Sequence, residues 1–252
     1  MRIFKNGDKP LKKNDKFLKY YREIDDSSNK LQEIINNKKN CNYFFNEKFS
    51  EKDIKFYINL LDFSNVTDMD GMFQNCSDLQ TIPELDTSNV TNMTCMFYEC
   101  HNLQTIPQLN TSKVTDMFSM FGYCYGLQTI PQLNTSKVTK MSNMFNNCEN
   151  LQTIDITSMD KIANTSDSIY MCYNCLSLTK FIIRNMTVIP PLSSNSFSNC
   201  YHFKGMVNST YNPEGLKDGR IYVPDNMVES LKTATNWSAY ADIIVPLSSL
   251  EE

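Results

Sequence analysis

Glycine, histidine and long apolar runs are scarce in this chain of 252 residues, and each scarcity argues against a class of function. With 7 glycines and neither a G-x-x-x-x-G-K-S/T nor a G-x-G-x-x-G motif, the sequence has no loop typical of phosphate binding. The 2 histidines, His101 and His202, have no sequence context that indicates a catalytic triad. No apolar run reaches the roughly 18 residues of a membrane span. We therefore expect a protein that is not an enzyme and has no membrane span.

The first ten residues, MRIFKNGDKP, are charged and turn-forming, and they lack the apolar stretch of a Sec signal peptide. We therefore predict no signal peptide, and a location in a virion or in the cytoplasm of the producing cell. The alternative is the cell surface, reached by a route other than Sec.

Charge is divided unevenly along the chain. Residues 1–60 hold 14 basic and 9 acidic side chains, whereas the remaining residues hold 10 basic and 19 acidic ones. An acidic surface repels the phosphate backbone of nucleic acids. We therefore expect no nucleic acid to bind the acidic part of the chain.

Residues 61–156 consist of four copies of one unit, which begin at Leu61, Leu85, Leu109 and Leu133. The period is 24 residues, with no insertion or deletion. A period of about 20–29 residues with leucine or isoleucine at fixed offsets is typical of leucine-rich repeats. Two divergent copies follow, whose equivalent cysteines are Cys175 and Cys200.

Each copy contains two predicted local structures. Leu79, Ile82 and Leu85 indicate a short extended segment that Pro83 interrupts. The next apolar residues, from Val90 to Cys100, have the spacing of one helical face. We therefore predict an α/β solenoid, a leucine-rich repeat array of strand-turn-short helix coils that spans residues 56–206.

Stacking of such coils places equivalent side chains in columns. We predict that two methionine columns and one phenylalanine column fill the core, because a repeated apolar stripe is typical of packing. The columns are Met69, Met93, Met117 and Met141; Met72, Met96, Met120 and Met144; and Phe73, Phe97, Phe121 and Phe145.

The two ends of the chain are predicted to differ from the array. Residues 1–55 are predicted to form a small helical region that caps the array or docks to a partner, with helical spacing over 17–24 and 31–35. Residues 207–252 are predicted to form a C-terminal cap, with strands at 221–223 and 243–245 and a helix whose face includes Met227, Val228 and Leu231. The single tryptophan, Trp237, is expected to pack in this cap.

The 9 cysteines do not indicate a metal site. Six of them share one repeat position, which favours a buried column of reduced thiols. Cys172 and Cys175 form one C-x-x-C motif, but a zinc site needs a second pair or histidines. We therefore predict no metal and no cofactor.

The outward positions of the predicted extended segments carry the candidate binding residues. The candidates form two polar columns, which are Gln80, Gln104, Gln128 and Gln152, and Thr81, Thr105, Thr129 and Thr153. These columns fit a partner-binding face, or they stabilise the array through hydrogen bonds alone. Individual specificity is expected at positions that vary between copies, which include Asp70, Thr94, Phe118, Ser142, Tyr98, Tyr123 and Tyr125.

The unit LDTSNVTNMTCMFYECHNLQTI, with its T-S-N/K-V-T and M-x-x-M-F segments, closely resembles the BspA-like leucine-rich repeats, including the variant of mycoplasma lipoproteins. The tail YVPDNMVESLKTATNWSAYADIIVPL looks like the end of many BspA-like proteins of gut Bacteroidetes and their phages. The resemblance covers about residues 56 to 246. It implies adhesion or protein binding rather than catalysis.

These observations lead to one main functional hypothesis and two alternatives. The main hypothesis is a non-catalytic virion component, associated with a phage tail or capsid, that contacts another protein or a host surface. The alternatives are a cell-surface adhesin and an intracellular scaffold. The expected partner is a protein of a larger assembly, or a protein or glycan of a host surface.

Overall fold

The computed structural model describes residues 29–30, 32–33, 35–36, 39, 41–45, 49–205, 215 and 217–250. The predicted first helix, over 17–24, lies outside the described residues. The described positions between 29 and 36 are helical, and Ile35 is buried. Of residues 206–216, only residue 215 is described.

Neighbouring copies of the repeat lie side by side and are joined by parallel backbone pairing. The N–H groups of Met69, Met93 and Met117 donate to carbonyl oxygens 23 positions further on, each at 3.0 Å. Parallel bridges run through Asp68, Asn92, Asp116 and Lys140. Each copy therefore contributes one layer, and equivalent residues follow one another from layer to layer.

Consecutive turns occupy the place of the predicted short helices, which is a difference from the sequence-based expectation. In copy two, the N–H groups of Met93, Cys95 and Phe97 donate to the next copy, whereas those of Met96 and Tyr98 donate to the residue three positions earlier. Alternate N–H groups are thus used between layers, so an uninterrupted α-helix cannot form. Cys95 has a φ of 51°, which also breaks a right-handed helix.

Of the strands predicted in the four copies, only that of the fourth forms a regular ladder. Pro83, Pro107 and Pro131 occupy one position of the first three copies, and proline has no N–H to donate. Asp155 replaces proline at this position in copy four, and strand β1 (Thr153–Ile156) forms there. The absence of this proline thus coincides with the start of the sheet.

The described strands form an open, parallel four-stranded sheet in the order β1-β2-β3-β4. The other strands are β2 (Lys180–Ile183), β3 (Arg220–Val223) and β4 (Ile244–Pro246). The register aligns Ile154 with Phe181, Phe181 with Ile221, and Ile221 with Ile244. All four of these side chains are buried, so they extend the core to the C-terminal end.

The described α-helices of known bounds lie near the ends of the array. They are α1 (Glu51–Leu60), α2 (Tyr201–Lys204) and α3 (Val228–Thr233), and 3-10 helices span Thr165–Ser168, Asp225–Met227, Ser238–Tyr240 and Leu247–Ser249. Helix α1 begins at a capping box formed by Ser50 and Asp53, and it buries Ile54 and Ile58. The predicted boundary between residues 55 and 56 falls inside this helix.

The segment at 41–45 forms one further layer before copy one. The N–H groups of Cys41, Tyr43 and Phe45 donate to the carbonyl oxygens of residues 68, 70 and 72, at 2.8, 3.1 and 2.8 Å. Phe45 stacks on Phe73 with 5.5 Å between ring centroids. This layer covers the apolar cross-section that copy one would otherwise expose.

The predicted core columns are confirmed. The eight methionines are fully buried, and the phenylalanines are at most 1% exposed. Stacked rings run from Phe45 to Phe145 with centroid distances of 5.2–5.5 Å and interplanar angles of 3–12°. Trp237 also packs as expected, because it is 1% exposed and its Nε1 donates to the carbonyl oxygen of Pro190 at 2.8 Å.

Candidate functional site

The predicted glutamine column lies on the surface, as its outward position requires. Gln80, Gln104, Gln128 and Gln152 are all exposed, and within the first three the N–H of each later residue donates to the carbonyl oxygen of the earlier one, at 2.9 and 3.0 Å. No side-chain hydrogen bond joins one of these four glutamines to another. Side-chain ladders therefore do not account for the column, and its role in binding stays a prediction.

The predicted threonine column is less uniform. Thr105 and Thr129 are exposed, whereas Thr81 and Thr153 are half-buried. The N–H of Thr81 donates to the Glu51 carboxylate at 3.3 Å, so helix α1 lies against this end of the column. The exposed part of the column is confined to copies two and three.

A different threonine column carries the side-chain ladder. The Oγ1 atoms of Thr91, Thr115 and Thr139 each donate to the carbonyl oxygen of the threonine one layer before, at 3.1–3.2 Å. The sequence shows this column as clearly as it shows the predicted one. The two threonine columns differ in where their hydroxyl groups point, and the sequence does not show this direction.

Five aromatic side chains gather on one side of copies two and three, and we name them the aromatic cluster. The members are Tyr98, His101, Phe118, Tyr123 and Tyr125. Ring centroids are 5.5 Å apart between Tyr98 and Tyr123, 6.1 Å between Tyr123 and Tyr125, and 5.1 Å between His101 and Tyr125. Phe118 is 38% exposed, and the other four rings are partly exposed. Four of the rings therefore contact one another in a row, and Phe118 lines the same cleft as Tyr98 and Tyr123.

The aromatic cluster borders a cleft of about 280 Å³. Tyr98, Phe118 and Tyr123 line it, together with the side chains of Asn143 and Asn146. A Cβ atom at Gly122 would lie 3.0 Å from Cδ2 of Tyr98, so the absence of a side chain there lets the Tyr98 ring lie close to the backbone. The cleft thus combines aromatic faces with amide groups.

Positive φ recurs along the array, and at the aromatic cluster it falls on residues other than asparagine. Two positions have positive φ in each of the five layers from copy one to the first divergent copy, and the next layer keeps only the second, at Asn199. Asparagine tolerates this conformation better than most residues. Asn75, Asn147, Asn174 and Asn199 occupy the second of these positions, whereas Glu99 (φ 60°) and Tyr123 (φ 61°) occupy it in copies two and three. Strained residues of this kind tend to cluster at functional sites.

Among the described residues, an asparagine ladder runs through Asn147, Asn174 and Asn199, outside copies two and three. Asn174 donates to Asn147 at 2.8 Å, and Asn199 donates to Asn174 at 2.7 Å. Glu99 and Tyr123 cannot extend this amide ladder into copies two and three. These two copies therefore lack both a favourable backbone residue and a ladder bond.

Two carboxylates, those of Glu99 and Glu149, act on the tyrosines of the aromatic cluster. Burial raises the pKa of Tyr98 to about 12, and the carboxylate of Glu99 adds to this shift. Burial also raises the pKa of Tyr125, with Glu149 as the next cause. Tyr98 and Tyr125 therefore stay neutral at physiological pH, and the negative charge beside them is that of the two carboxylates.

Four of these residues were singled out by sequence variation between copies, namely Tyr98, Phe118, Tyr123 and Tyr125. The structure brings them together, but it does not add Ser142, which is buried, or Asp70, which lies in copy one. His101 was missed because histidine was considered only as a catalytic residue. Its equivalence to Tyr125, one period later, was the available signal.

The cysteine column occupies the predicted buried position. Cys76, Cys100, Cys124, Cys148, Cys175 and Cys200 are buried and free, and each thiol donates to a backbone carbonyl oxygen of the preceding layer. Cys172 takes the position of the phenylalanine column, since its N–H donates to the carbonyl oxygen of Ser196 as that of Phe145 does to Met171. The C-x-x-C motif is thus a variant of the repeat. No group of metal-binding side chains was found among the described residues.

Comparison with known proteins places this layered repeat in a family. Residues 39–158 and 96–210 match the family described as "Mycoplasma protein of unknown function, DUF285", and together these matches cover more than half of the chain. The chain belongs to this family, which is the BspA-like, mycoplasma-type repeat family that the sequence motif resembles. No curated protein and no solved structure matches the chain. None of the described helices is long and apolar enough to cross a bilayer.

Proposed function

We propose that this chain is a non-catalytic repeat protein, built as an α/β solenoid, that binds a protein partner through the aromatic cluster. One observation supports this most directly. The five aromatic side chains occur in two adjacent copies, whereas the equivalent positions of copies one and four hold polar residues. Partly exposed tyrosines, grouped on a fixed backbone, are typical of the central residues of protein interfaces.

The backbone supplies a second argument for binding. Glu99 and Tyr123 occupy positions where asparagine would fit the left-handed conformation better. Neither residue fills the core, because both are partly exposed. Contact with a partner is the simplest reason why Glu99 and Tyr123, and not asparagine, occupy these two positions.

For the wider role, we propose a component of a larger assembly such as a virion, in which the layers give rigid display of the aromatic cluster. A cell-surface adhesin and an intracellular scaffold are the alternatives. Fractionation of the producing cells separates them, with an antibody that detects the chain in purified particles, in the envelope or in the soluble fraction. Recovery in the soluble fraction alone would contradict both the virion and the adhesin.

The choice of surface is tested with two matched double variants of the full chain. Tyr98→Ala/Tyr125→Ala removes two rings of the aromatic cluster, and Gln104→Ala/Gln128→Ala removes two side chains of the predicted glutamine column. Each protein is immobilised and exposed to lysate and medium of the native cells, and captured proteins are quantified by mass spectrometry. Circular dichroism and Tm verify that both variants fold.

We expect the first variant to lose the specifically captured proteins and the second to retain them. If only Gln104→Ala/Gln128→Ala lost the captured proteins, the glutamine column would be the binding surface. If both variants captured the same proteins as the unaltered chain, the proposed role of the aromatic cluster would be wrong.

A further inference from the structure

The aromatic cluster combines ring faces with carboxylates. Glu99 follows Tyr98 directly and is partly exposed, and its N–H donates to the carbonyl oxygen of Gly122 at 2.8 Å, which fixes it beside the rings of copies two and three. Burial is the main cause of the raised pKa of Tyr98, and the Glu99 carboxylate is the next. Glu149 acts in the same way on Tyr125. Within the described part of the chain, no lysine or arginine forms an ion pair with Glu99. The surface therefore offers negative charge next to partly exposed aromatic rings.

We propose that the aromatic cluster binds arginine side chains of a basic protein segment, with the guanidinium group stacked on the tyrosine rings and paired with Glu99. This inference rests on the proposed function and names the chemistry of the partner. A cation over the face of a tyrosine ring is attracted by the ring quadrupole. The adjoining carboxylates act in the same direction, so both interactions select positive charge.

Arginine fits this surface better than lysine does. The guanidinium group is planar, so it stacks on a ring and still donates two parallel hydrogen bonds to one carboxylate. The cleft beside Tyr98 and Tyr123 also presents the amide groups of Asn143 and Asn146. The side-chain oxygens of Asn143 and Asn146 already accept one amide N–H each, from Asn146 and Asn147, and a second lone pair on each can accept an N–H of the guanidinium.

The charge of the whole chain agrees with this partner. Residues after 60 hold 19 acidic against 10 basic side chains, so a basic segment is attracted before contact. A neutral glycan would also stack on tyrosine rings, but it would gain nothing from this charge. Glu99 and Glu149 therefore favour the basic segment over the glycan.

The direct test is a titration of the full chain with a synthetic peptide, fluorescein-labelled (Arg-Gly)5, measured by fluorescence anisotropy. Two control peptides have lysine or citrulline in place of arginine. Lysine replaces the guanidinium group by an ammonium group, and citrulline replaces it by a neutral group of nearly the same shape. We expect the strongest binding for the arginine peptide and at least ten-fold weaker binding for citrulline. Equal affinity for arginine and citrulline peptides would overturn the proposal.

A matched pair of variants separates this site from general attraction to an acidic protein. Glu99→Gln removes the charge next to Tyr98, and Glu84→Gln removes an exposed carboxylate outside the aromatic cluster. We expect Glu99→Gln to weaken binding of (Arg-Gly)5 about ten-fold and Glu84→Gln to change it less than two-fold. Equal effects would show that net charge alone attracts the peptide and would refute the site.

Two further outcomes complete the test. If the neutral oligosaccharide maltoheptaose bound the chain, and Tyr98→Ala/Tyr125→Ala abolished that binding, the ligand of the aromatic cluster would be a glycan and the arginine assignment would be wrong. Failure of (Arg-Gly)5 to bind at 1 mM would refute the arginine assignment. The capture experiment with Tyr98→Ala/Tyr125→Ala would still decide whether the aromatic cluster binds any protein, so the two proposals can fail separately.

Discussion

The thiol of Cys124 donates a hydrogen bond to the carbonyl oxygen of Phe97 across the boundary between two copies, at 3.1 Å. The same oxygen accepts the N–H of Cys100, also at 3.1 Å. Cysteine therefore fits this position for two reasons, since it is a small apolar side chain and it supplies a donor that links adjacent layers. Alanine would satisfy the first requirement only.

Cys124→Ala is expected to lower the free energy of unfolding by about 2 kcal/mol, because it removes a buried sulfur atom and its hydrogen bond. Urea denaturation at pH 7 measures the change. Cys95→Ala is the control, since Cys95 is half-buried and its thiol makes no hydrogen bond among the described residues. A loss below about 0.5 kcal/mol for Cys124→Ala would contradict a structural role for this thiol.

Stability is expected to fall at alkaline pH. Burial raises the pKa of the Cys76 thiol from 9.0 to about 12. The folded chain thus keeps a proton that the unfolded chain loses above pH 9. The stabilisation that the protonated thiol gives to the folded chain is complete below pH 9, and it is lost as the pH rises towards 12. Each such thiol costs about 1.4 kcal/mol of unfolding free energy per pH unit in that interval.

Urea denaturation at several pH values between 7 and 11 measures this slope. Cys76→Ala removes one titrating thiol, so we expect its slope between pH 9 and 11 to be smaller than that of the unaltered chain. Constant stability up to pH 11 in the unaltered chain would be incompatible with buried, protonated thiols.

The repeat period was sufficient to predict which side chains fill the core. Met93 and Phe97 recur every 24 residues with no change of type. When stacked layers repeat the same large apolar residue at one position, that position is buried in every layer. The glutamine positions were also predicted correctly to face outward. Their binding role is a separate matter and stays a prediction.

The local conformation could not be predicted from the same pattern. The spacing of Met93, Met96, Phe97 and Cys100 matches a helical face, but it also matches a series of turns whose alternate N–H groups bond to the next layer. The choice depends on hydrogen bonds between copies, which periodicity within one copy does not reveal. The positive φ at Cys95 and Glu99 is a consequence of that choice.

The aromatic cluster was predicted as separate variable residues and not as a surface. Tyr98 and Tyr123 are 25 positions apart and not in one column, so alignment of the copies does not pair them. Their rings meet because adjacent layers are close and because Gly122 leaves room beside Tyr98. The layer at 41–45 was missed for a related reason, since it has no methionine and its spacing to copy one is longer than 24 residues.

The phenylalanine column is expected to contribute much of the stability. Phe97 is fully buried and stacks on Phe73 at 5.2 Å and on Phe121 at 5.5 Å. Phe97→Ala should lower the free energy of unfolding by about 3–5 kcal/mol, as large cavities in a packed core do. Urea denaturation tests this value.

The matched control for Phe97→Ala is Phe118→Ala, which makes the same change at a side chain that is 38% exposed. We expect it to alter the free energy of unfolding by less than about 1 kcal/mol, because its ring is not enclosed. Equal losses for the two variants would mean that Phe118 is part of the core, and that it is not a free member of the aromatic cluster.

Glu99→Asn is expected to stabilise the fold while it weakens binding. Glu99 has a φ of 60°, and asparagine occupies the equivalent position at Asn75 and Asn147. Asparagine adopts this conformation at lower cost, so we expect a gain of about 1 kcal/mol, which corresponds to a rise in Tm of about 2–4 °C for a chain of this size. Differential scanning calorimetry measures the shift.

Glu99→Gln separates the backbone from the charge. Glutamine has the size of glutamate and no particular preference for positive φ, so Glu99→Gln should leave Tm within about 1 °C of the unaltered value while it loses the carboxylate. Both variants should bind the arginine peptide weakly, but only Glu99→Asn should be more stable. If Glu99→Asn lowered Tm, glutamate would be the residue that folding prefers at this position, and its presence there would no longer support a binding role for the aromatic cluster.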